Sequence, residues 1–436
     1  MITYFNEGER NLILNKFMCL RRISTIGFLL FNVTRSFFTV TAFALKFRPI
    51  RSFPVSPQRS RTFTGPMCTQ ATILPSSSTQ TSLGAGGSIG PNPRIADADC
   101  NIFHPDLISL LPSSLPGSGG GYVNGDDDSC DHAALRLILH QSTRQANVQA
   151  VFVPSSTLDE ADRASSILSS ISTVEGLPQL RMGIGVHPYH TSPGESGDPS
   201  PENLDRFRSL LLLRPDVVSC IGECGLDYSE GFPNRSVQLP WFEAQCAIAA
   251  EFKLPLFVHE RDASQDMLRI LEAYNDSIPA VMIHCFTSSP EVCEEYAKRG
   301  YFFSVSGYVN RSDEGAEGVR RCLRDGIIPL ERLTIETDAP YMGFRGCRDT
   351  FFDASSSVPG TNTIPTWYDK LPGKKKKKLR KAIYPNIPSS LPLVLETVTQ
   401  CVDEGRVMRG EKSLGVHGVA EVLYQNFIEF FRFGEN

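Results

Sequence analysis

The sequence lacks acidic residues over a long N-terminal stretch, and it lacks paired cysteines throughout. No Asp or Glu occurs between Arg10 and Ala96, whereas Arg, Ser, Thr and Phe recur there. The 12 cysteines among 436 residues include no CxxC pair, which excludes a four-cysteine zinc framework. We therefore expect reduced and mostly buried thiols. The net charge of -5 excludes a general attraction to nucleic acid, so any such binding must come from local patches.

The acid-free stretch has the composition of a transit peptide. Its most apolar part, residues 23–45, is interrupted by Arg35 and is a poor transmembrane span. A signal-like hydrophobic region followed by basic sequence is typical of plastid targeting, and a mitochondrial address fits nearly as well. We expect an organelle location and no stable membrane association. The alternative is a disordered tail, or Met67 as the true initiator, with the protein in the cytoplasm or nucleus.

A linker rich in Ser, Gly, Pro and Thr covers residues 69–93 and places a domain boundary near Arg94. We predict a targeting or low-complexity extension over residues 1–93 and one catalytic domain over residues 94–436. In that domain, short apolar runs alternate with helix-like segments. The runs are IADADCNIF, VQAVFVPSS, LRMGIGVHP, VVSCIGECGLD, LPLFVHERD, AVMIHCFTS, YFFSVSGYV and LTIETDAPY. Continuous apolar runs are typical of strands buried on both faces of a parallel sheet, so the pattern predicts an α/β fold, a (β/α)₈ TIM barrel.

A lysine-rich run, KLPGKKKKKLRK, follows the last predicted strand from Lys370 to Lys381. Its composition is typical of a solvated loop or a sorting signal. The alternative is contact with a phosphate backbone, because loops that follow barrel strands line the mouth of the active site.

Ionisable and amide side chains lie at the carboxyl ends of several predicted strands, where barrel enzymes carry their chemistry. They are Asp99, Asn101, His187, Glu223, His259, His284 and Asp338. A single histidine at a barrel rim is more often structural than a metal ligand. The combination of Glu, two His and Asp at four strand ends instead suits Zn²⁺, Mn²⁺ or, with fewer nitrogens, Mg²⁺. The sequence therefore predicts a metal site.

Several motifs resemble those of one family and occur in its order: GVHPY, CIGECGLDY, FEAQCAIAAEFKLPL, LPLFVHERDA, IHCFTSS, SVSGY and LTIETDAPYM. From about Ile95 onwards, the chain is similar to the TatD family of metal-dependent deoxyribonucleases, within the amidohydrolase-like superfamily. The resemblance implies a barrel hydrolase that cleaves phosphodiester bonds, commonly as a 3′–5′ exonuclease on DNA. We expect DNA as the substrate, with RNA as a second candidate; the oligomeric state is not predicted.

The resemblance also implies roles for individual residues. Glu223 would be a catalytic, bridging carboxylate, His259 and His284 would hold a second metal, and Asp338 would bind metal and orient or deprotonate the attacking water. The chemistry agrees, because divalent cations lower the pKa of water and neutralise phosphoryl oxygens, and a nearby carboxylate can take the proton. For His187 a structural role is as plausible as a functional one.

The first strand departs from the family pattern, which has a His-x-His pair where this chain has Asp99 and Asn101. Aspartate is a hard ligand, and asparagine offers only a neutral carbonyl oxygen, so both are expected to be weaker zinc ligands. We therefore expect one or two ions, one firmly and one more weakly bound, with Mg²⁺ or Mn²⁺ favoured and Zn²⁺ as an alternative. His104 precedes Pro105 and fits a helix start better than a ligand.

Residues predicted to contact substrate are Arg261, His187, Asn386 and Arg345. Arg261 follows His259 by two positions and suits a phosphate, although a salt bridge to a loop carboxylate is an equal alternative. Arg345 and Arg348 suit phosphate or a structural role. Asn386 and Pro388 precede a predicted helix and are expected to fix the loop over the mouth.

Two other functions compete with a nuclease. The same superfamily contains amidohydrolases and lactonases that act on small molecules, and fold alone does not distinguish them. The basic segment Lys374–Lys381 and the mouth arginines favour a polyanion. A binding protein with a decayed metal site is the third candidate; the departure at Asp99 and Asn101 favours it, and the retained Glu223 and its partners disfavour it.

Overall fold

The computed structural model describes residues 92–108, 135–349 and 371–433, apart from positions 137, 141, 144, 145, 173 and 195. The predicted targeting stretch falls outside the described residues, as does most of the predicted linker.

Eight parallel strands form one sheet in the order β1 to β8. Their bounds are β1 Ile95–Asp97, β2 Val148–Val153, β3 Gln179–Ile184, β4 Val218–Asp227, β5 Leu256–Arg261, β6 Val281–Ile283, β7 Phe302–Val305 and β8 Leu333–Ile335. Backbone hydrogen bonds join the first and last strands, from the Ala98 amide to the Ile335 carbonyl at 3.0 Å and from the Asp338 amide to the Asp99 carbonyl at 2.9 Å. The predicted TIM barrel and all eight predicted strands are confirmed.

The helices that follow the strands cover the outside of the barrel. Their bounds are α1 Pro105–Ile108, α2 Leu158–Ile171, α3 Pro201–Leu213, α4 Arg235–Phe252, α5 Ser264–Glu272, α6 Pro290–Ala297, α7 Glu314–Arg324, α8 Gly373–Lys381, α9 Leu391–Met408 and α10 Gly415–Phe430. Side-chain caps define several starts: Thr157 accepts from the Glu160 amide, and Asp313 accepts from the Ala316 amide. The predicted helix start at Pro105 is confirmed.

Residues 373–381 of the lysine-rich run form α8, so the prediction of a loop was wrong for them. Lysine has a high helix propensity, and Leu379 gives the helix an apolar contact with the core. Arg348, 2% exposed, donates to the carbonyls of Leu379 at 3.3 Å and Pro385 at 2.8 Å, which fixes the end of the helix against the barrel.

Aromatic side chains close the bottom of the barrel. Phe427, Phe430, Phe431 and Phe433, here called the C-terminal aromatic cluster, pack with side chains from inside the barrel, including Phe152 and Phe257. Phe431 stacks on Phe152 with ring centroids 4.1 Å apart, and Phe257 stacks on His284 at 4.7 Å. Phe257 therefore lies between this cluster and the ring of a predicted site residue.

All nine cysteines in the described ranges are free thiols, and all but Cys285 are buried, as predicted. No helix in those ranges is long and apolar enough to cross a membrane.

Candidate metal centre

Glu223 lies within β4 and is 6% exposed. Its Oε1 is 2.8 Å from His284 Nε2, 3.2 Å from His187 Nε2 and 3.2 Å from His259 Nδ1. These imidazoles come from the ends of three other strands. The structure thus brings four of the predicted site residues together around one carboxylate oxygen.

Close backbone packing and two buried glutamines position the strand ends. A Cβ at Gly225 would collide with the carbonyl oxygen of His259, so only glycine allows β4 and β5 to approach this closely. Gln245 of α4 bonds both the amide and the carbonyl of Val186, next to His187. Gln238 does the same for Asp227 at the end of β4.

His259 lies between two carboxylates. Its Nδ1 faces Glu223, and its Nε2 is 2.8 Å from Oδ2 of Asp227, which is 1% exposed. Asp227 also accepts from the amide and hydroxyl of Ser229 through Oδ1. A carboxylate on one ring nitrogen fixes the proton there and leaves the other nitrogen available as a ligand. Asp227 therefore leaves Nδ1 of His259 available as a ligand atom.

His284 directs its second ring nitrogen to acids from the first and last strands. Its Nδ1 is 3.2 Å from Oδ2 of Asp99 and 3.6 Å from Oε1 of Glu336, and both acids are fully buried. Two groups of possible metal ligands therefore meet at Glu223. The first is His187 with His259, and the second is His284 with Asp99 and Glu336.

Asp338 is 8% exposed and lies beside Asn101 at the opening of the second group. The Asn101 amide nitrogen donates to Asp99 at 3.3 Å and to Asp338 at 3.4 Å, so it orients both carboxylates. Asp97, further down the same strand, accepts from the Thr337 amide at 2.8 Å and hydroxyl at 2.6 Å, which ties β1 to β8.

The centre combines strong burial with an excess of carboxylates. Burial would raise the pKa of Glu223, but the neighbouring imidazoles outweigh it and hold that pKa well below its usual range. Burial, with Glu336 and Glu223 nearby, raises the pKa of Asp338 to about 8. Burial likewise raises the pKa of Asp97 to about 7. Burial would lower the pKa of His284, yet its carboxylate neighbours raise it well above the ordinary value.

These residues fit a divalent cation. Asp99 Oδ2, His284 Nδ1 and both carboxylate oxygens of Glu336 are buried without a hydrogen-bond partner among the described residues. Unpaired buried polar atoms cost free energy, and clustered carboxylates repel each other, so a cation among them would relieve both costs. Oxygen atoms with a few imidazoles form a donor set typical of Mg²⁺, Mn²⁺ or Zn²⁺.

The predicted substrate residues divide by exposure. Arg261 is exposed at the end of β5, and no ion pair of its guanidinium occurs within the described ranges. His187 belongs to the first group of possible metal ligands, with Glu223 and His259. Asn386 is fully buried and donates to the Thr337 carbonyl at 2.8 Å, so it fixes the loop after β8. Arg345 is exposed beside α8. His104 contacts the Tyr341 hydroxyl at 3.2 Å and lies outside both ligand groups.

Sequence reasoning missed Asp227 and Glu336. Both could have been found from an even spacing to a predicted site residue, because Asp227 lies four positions after Glu223 on β4 and Glu336 lies two before Asp338, directly after β8. The supporting glutamines of α4 carry no comparable signal, since their role depends on which strand end each one meets.

Sequence comparison places these features in a known group. The model of the family described as "TatD related DNase" matches residues 125–432. A "3'-5' ssDNA/RNA exonuclease TatD" from Citrobacter koseri is 41% identical over 158 residues, which are 36% of this chain and 57% of the relative. One from Cronobacter turicensis is 34% identical over 220 residues, 50% of this chain and 77% of the relative. The chain thus spans little more than half the length of the first relative.

Solved structures share the fold. A hydrolase of the TatD family from Entamoeba histolytica superposes with a TM-score of 0.56 at 20% identity, covering 78% of this chain and 99% of that one. An uncharacterized amidohydrolase from Saccharomyces cerevisiae gives a TM-score of 0.53 at 20% identity, covering 78% and 100%.

Proposed function

Because the chain belongs to the TatD-related DNase family, we propose that it is a metal-dependent nuclease that hydrolyses phosphodiester bonds, as a 3′–5′ exonuclease on single-stranded DNA or RNA. The observation that carries the proposal is the convergence of His187, His259 and His284 on one oxygen of Glu223, beside buried oxygens of Asp99 and Glu336 that accept no hydrogen bond from the described residues. The relatives named above carry this activity in their names.

The residues that would hold divalent cations are the two groups joined by Glu223: His187 with His259, and His284 with Asp99 and Glu336. A bound divalent cation provides a nucleophilic oxygen at neutral pH and neutralises charge on the phosphoryl oxygens. We propose Mg²⁺ or Mn²⁺ as the working ion, because carboxylate oxygens predominate around His284.

We propose that Asp338 takes the proton of the attacking water. Its carboxylate is 8% exposed, and the Asn101 amide nitrogen donates to it at 3.4 Å. A general base must be ionised before it accepts a proton, and its efficiency is greatest when its pKa lies near the working pH. A neighbouring cation favours the ionised form, so Asp338 is available for this role once the centre is loaded.

We propose that Arg261 binds the phosphate of the substrate. Its guanidinium is exposed two residues beyond His259, and arginine forms paired hydrogen bonds with phosphate oxygens. Arg261→Lys should therefore raise KM more than it lowers kcat, since the charge remains while the paired geometry is lost.

The test is cleavage of end-labelled single-stranded DNA, double-stranded DNA and RNA with Mg²⁺, Mn²⁺ or EDTA. We expect stepwise loss of nucleotides from the 3′ end, abolished by EDTA and by Glu223→Gln. Glu243→Gln, an exposed glutamate of α4, is the matched control and should retain full activity. Cleavage that resists EDTA, or absence of cleavage beside hydrolysis of amides or lactones, would contradict the proposal.

We further propose that residues 1–93 direct the protein to a mitochondrion or plastid. The support is the absence of acidic residues between Arg10 and Ala96. A fluorescent protein fused behind these residues should enter an organelle; a uniform cytosolic signal would reject this location.

A further inference from the structure

A basic pocket lies between α8 and the turn that follows β8. It has a volume of about 660 Å³ and is lined by Arg345, Gly346, Asp349, Gly373, Lys376, Lys377, Arg380 and Lys381. It is separate from the two metal-type groups, and no step proposed above uses it.

The pocket concentrates positive charge on a fixed support. Between Gly373 and Lys381, α8 has six lysines, one arginine and no acidic residue. The one acidic lining residue, Asp349, is paired with Arg380 at 3.2 Å. Arg348 holds the end of the helix by two hydrogen bonds to backbone carbonyls. Clustered cations on a fixed helix repel one another, and an anionic ligand removes that repulsion.

Two exposed tyrosines are close in the chain to the pocket residues: Tyr341 precedes Arg345 by four positions, and Tyr384 follows Lys381 by three. Tyr341 and Tyr384 are 46% and 45% exposed, with ring centroids 6.3 Å apart. The Tyr341 amide donates to the Asp338 carbonyl at 2.6 Å, so its ring begins next to the centre. The Tyr384 hydroxyl donates to Asp106 at 2.6 Å, which restrains the second ring. Arg345 follows Asp338 by seven positions, at most about 25 Å of chain.

We propose that the tyrosine pair and the basic pocket form one path for a single-stranded nucleic acid, with bases on the rings and backbone phosphates in the pocket. The path rests on the proposed function and adds to it the residues that hold the strand outside the metal centre. Proteins that bind single strands combine a basic groove with aromatic stacking surfaces. Rings of this kind reach only unpaired bases, so the path selects a single strand over a duplex.

The first test compares a long and a short substrate. The double variant Lys377→Glu, Lys381→Glu should raise KM for a 20-nucleotide single strand about tenfold or more, with little change in kcat. A tenfold change corresponds to about 1.4 kcal/mol. A nitrophenyl ester of one nucleotide cannot reach the pocket and should be cleaved as by the unmodified protein. Tyr384→Leu should raise KM for the long strand with the charge unchanged. A KM rise of equal size on both substrates would overturn the path.

The matched control is Lys412→Glu. Lys412 is exposed in the turn between α9 and α10. Arg409 beside this turn donates to the Arg324 carbonyl at the end of α7, so the turn lies at the end of the barrel opposite the metal centre. Lys412→Glu reverses the charge of a lysine that lies away from the pocket. It should leave KM for the long strand unchanged.

A binding measurement separates failure of the path from failure of the nuclease proposal. Fluorescence anisotropy of a labelled single strand, with Glu223→Gln protein in EDTA, requires no cleavage. The charge-reversed variant should bind more weakly, and the slope of log K against log salt should fall by roughly 0.7 for each phosphate that the variant no longer neutralises. Unchanged affinity and slope, or retention of vesicles of anionic lipid in place of the strand, would overturn the path whether or not the protein cleaves.

Discussion

Replacement of Asp227 by asparagine tests how the centre holds its cation. Oδ2 of Asp227 is 2.8 Å from His259 Nε2, while Oδ1 accepts from the Ser229 amide at 2.8 Å. Both contacts need an acceptor on Asp227. Asparagine has the same shape but only one acceptor, so either orientation of its amide places an NH₂ group against a donor.

The magnitude follows from these two orientations. If the amide oxygen faces His259, the partly buried Ser229 amide meets a donor, which costs on the order of 1 kcal/mol. If the amide nitrogen faces His259, the ring must carry its proton on Nδ1, and that atom can no longer bind a cation. Loss of such a partner typically lowers metal affinity or activity by about 10–100-fold. We expect Asp227→Asn to weaken Mn²⁺ binding within that range.

The assay is calorimetric titration of the purified protein with Mn²⁺, followed by cleavage rates at saturating Mn²⁺. The matched control is Asp266→Asn, because Asp266 is also buried and bonds Tyr228 and Arg235 but no imidazole. The control should bind Mn²⁺ with unchanged affinity even if it is less stable. If Asp227→Asn binds Mn²⁺ as tightly as the control, the proton of His259 is not fixed by Asp227 and the reasoning is refuted.

Three other changes probe the first strand, the barrel floor and a helix cap. Asp99→Ala should lower Mg²⁺-dependent cleavage several-fold, because it removes an unpaired oxygen of the ligand group; equal turnover across Mg²⁺ concentrations would show that this strand gives no ligand. Phe431→Ala should lower the free energy of unfolding by about 3–5 kcal/mol in urea, since its buried ring stacks on Phe152; a loss below about 1 kcal/mol would contradict this packing. Asp403 is partly buried, and hydrogen bonds from residues 413–415 outweigh burial and lower its pKa. The stabilisation that the ionised Asp403 gives to the fold is complete above its unfolded pKa near 4, and it is lost as pH falls through the lower folded pKa. The stability deficit of Asp403→Asn should therefore shrink between pH 7 and about 3. A deficit that grows towards acid would reverse the sign of the argument.

The sequence predicts much of the barrel because strand burial is recorded locally. Each β strand is a continuous apolar run, and residues such as Glu223 and His284 follow directly from the rule that chemistry lies at carboxyl ends. The family resemblance is confirmed by the match over residues 125–432.

Other features depend on contacts between distant segments, which no local pattern records. The helical state of the lysine run depends on Arg348 and Leu379, whose contacts form only in the folded barrel. The grouping of Asp99 with Glu336 around His284 requires the last strand to close against the first. From the sequence, Asn101 was expected to offer its carbonyl oxygen to a metal. In the structure its amide nitrogen instead faces the carboxylates of Asp99 and Asp338.

The C-terminal aromatic cluster has a consequence for how the protein is made. These phenylalanines follow all eight strands in the chain, so the ribosome releases them after every strand has emerged. Until then, Phe257, which stacks on the ring of His284, lacks its packing contact with Phe431. A nascent chain halted before Phe427 should therefore carry every candidate cation ligand and still not bind the ion tightly, which delays the active state until the C-terminal aromatic cluster has been synthesised.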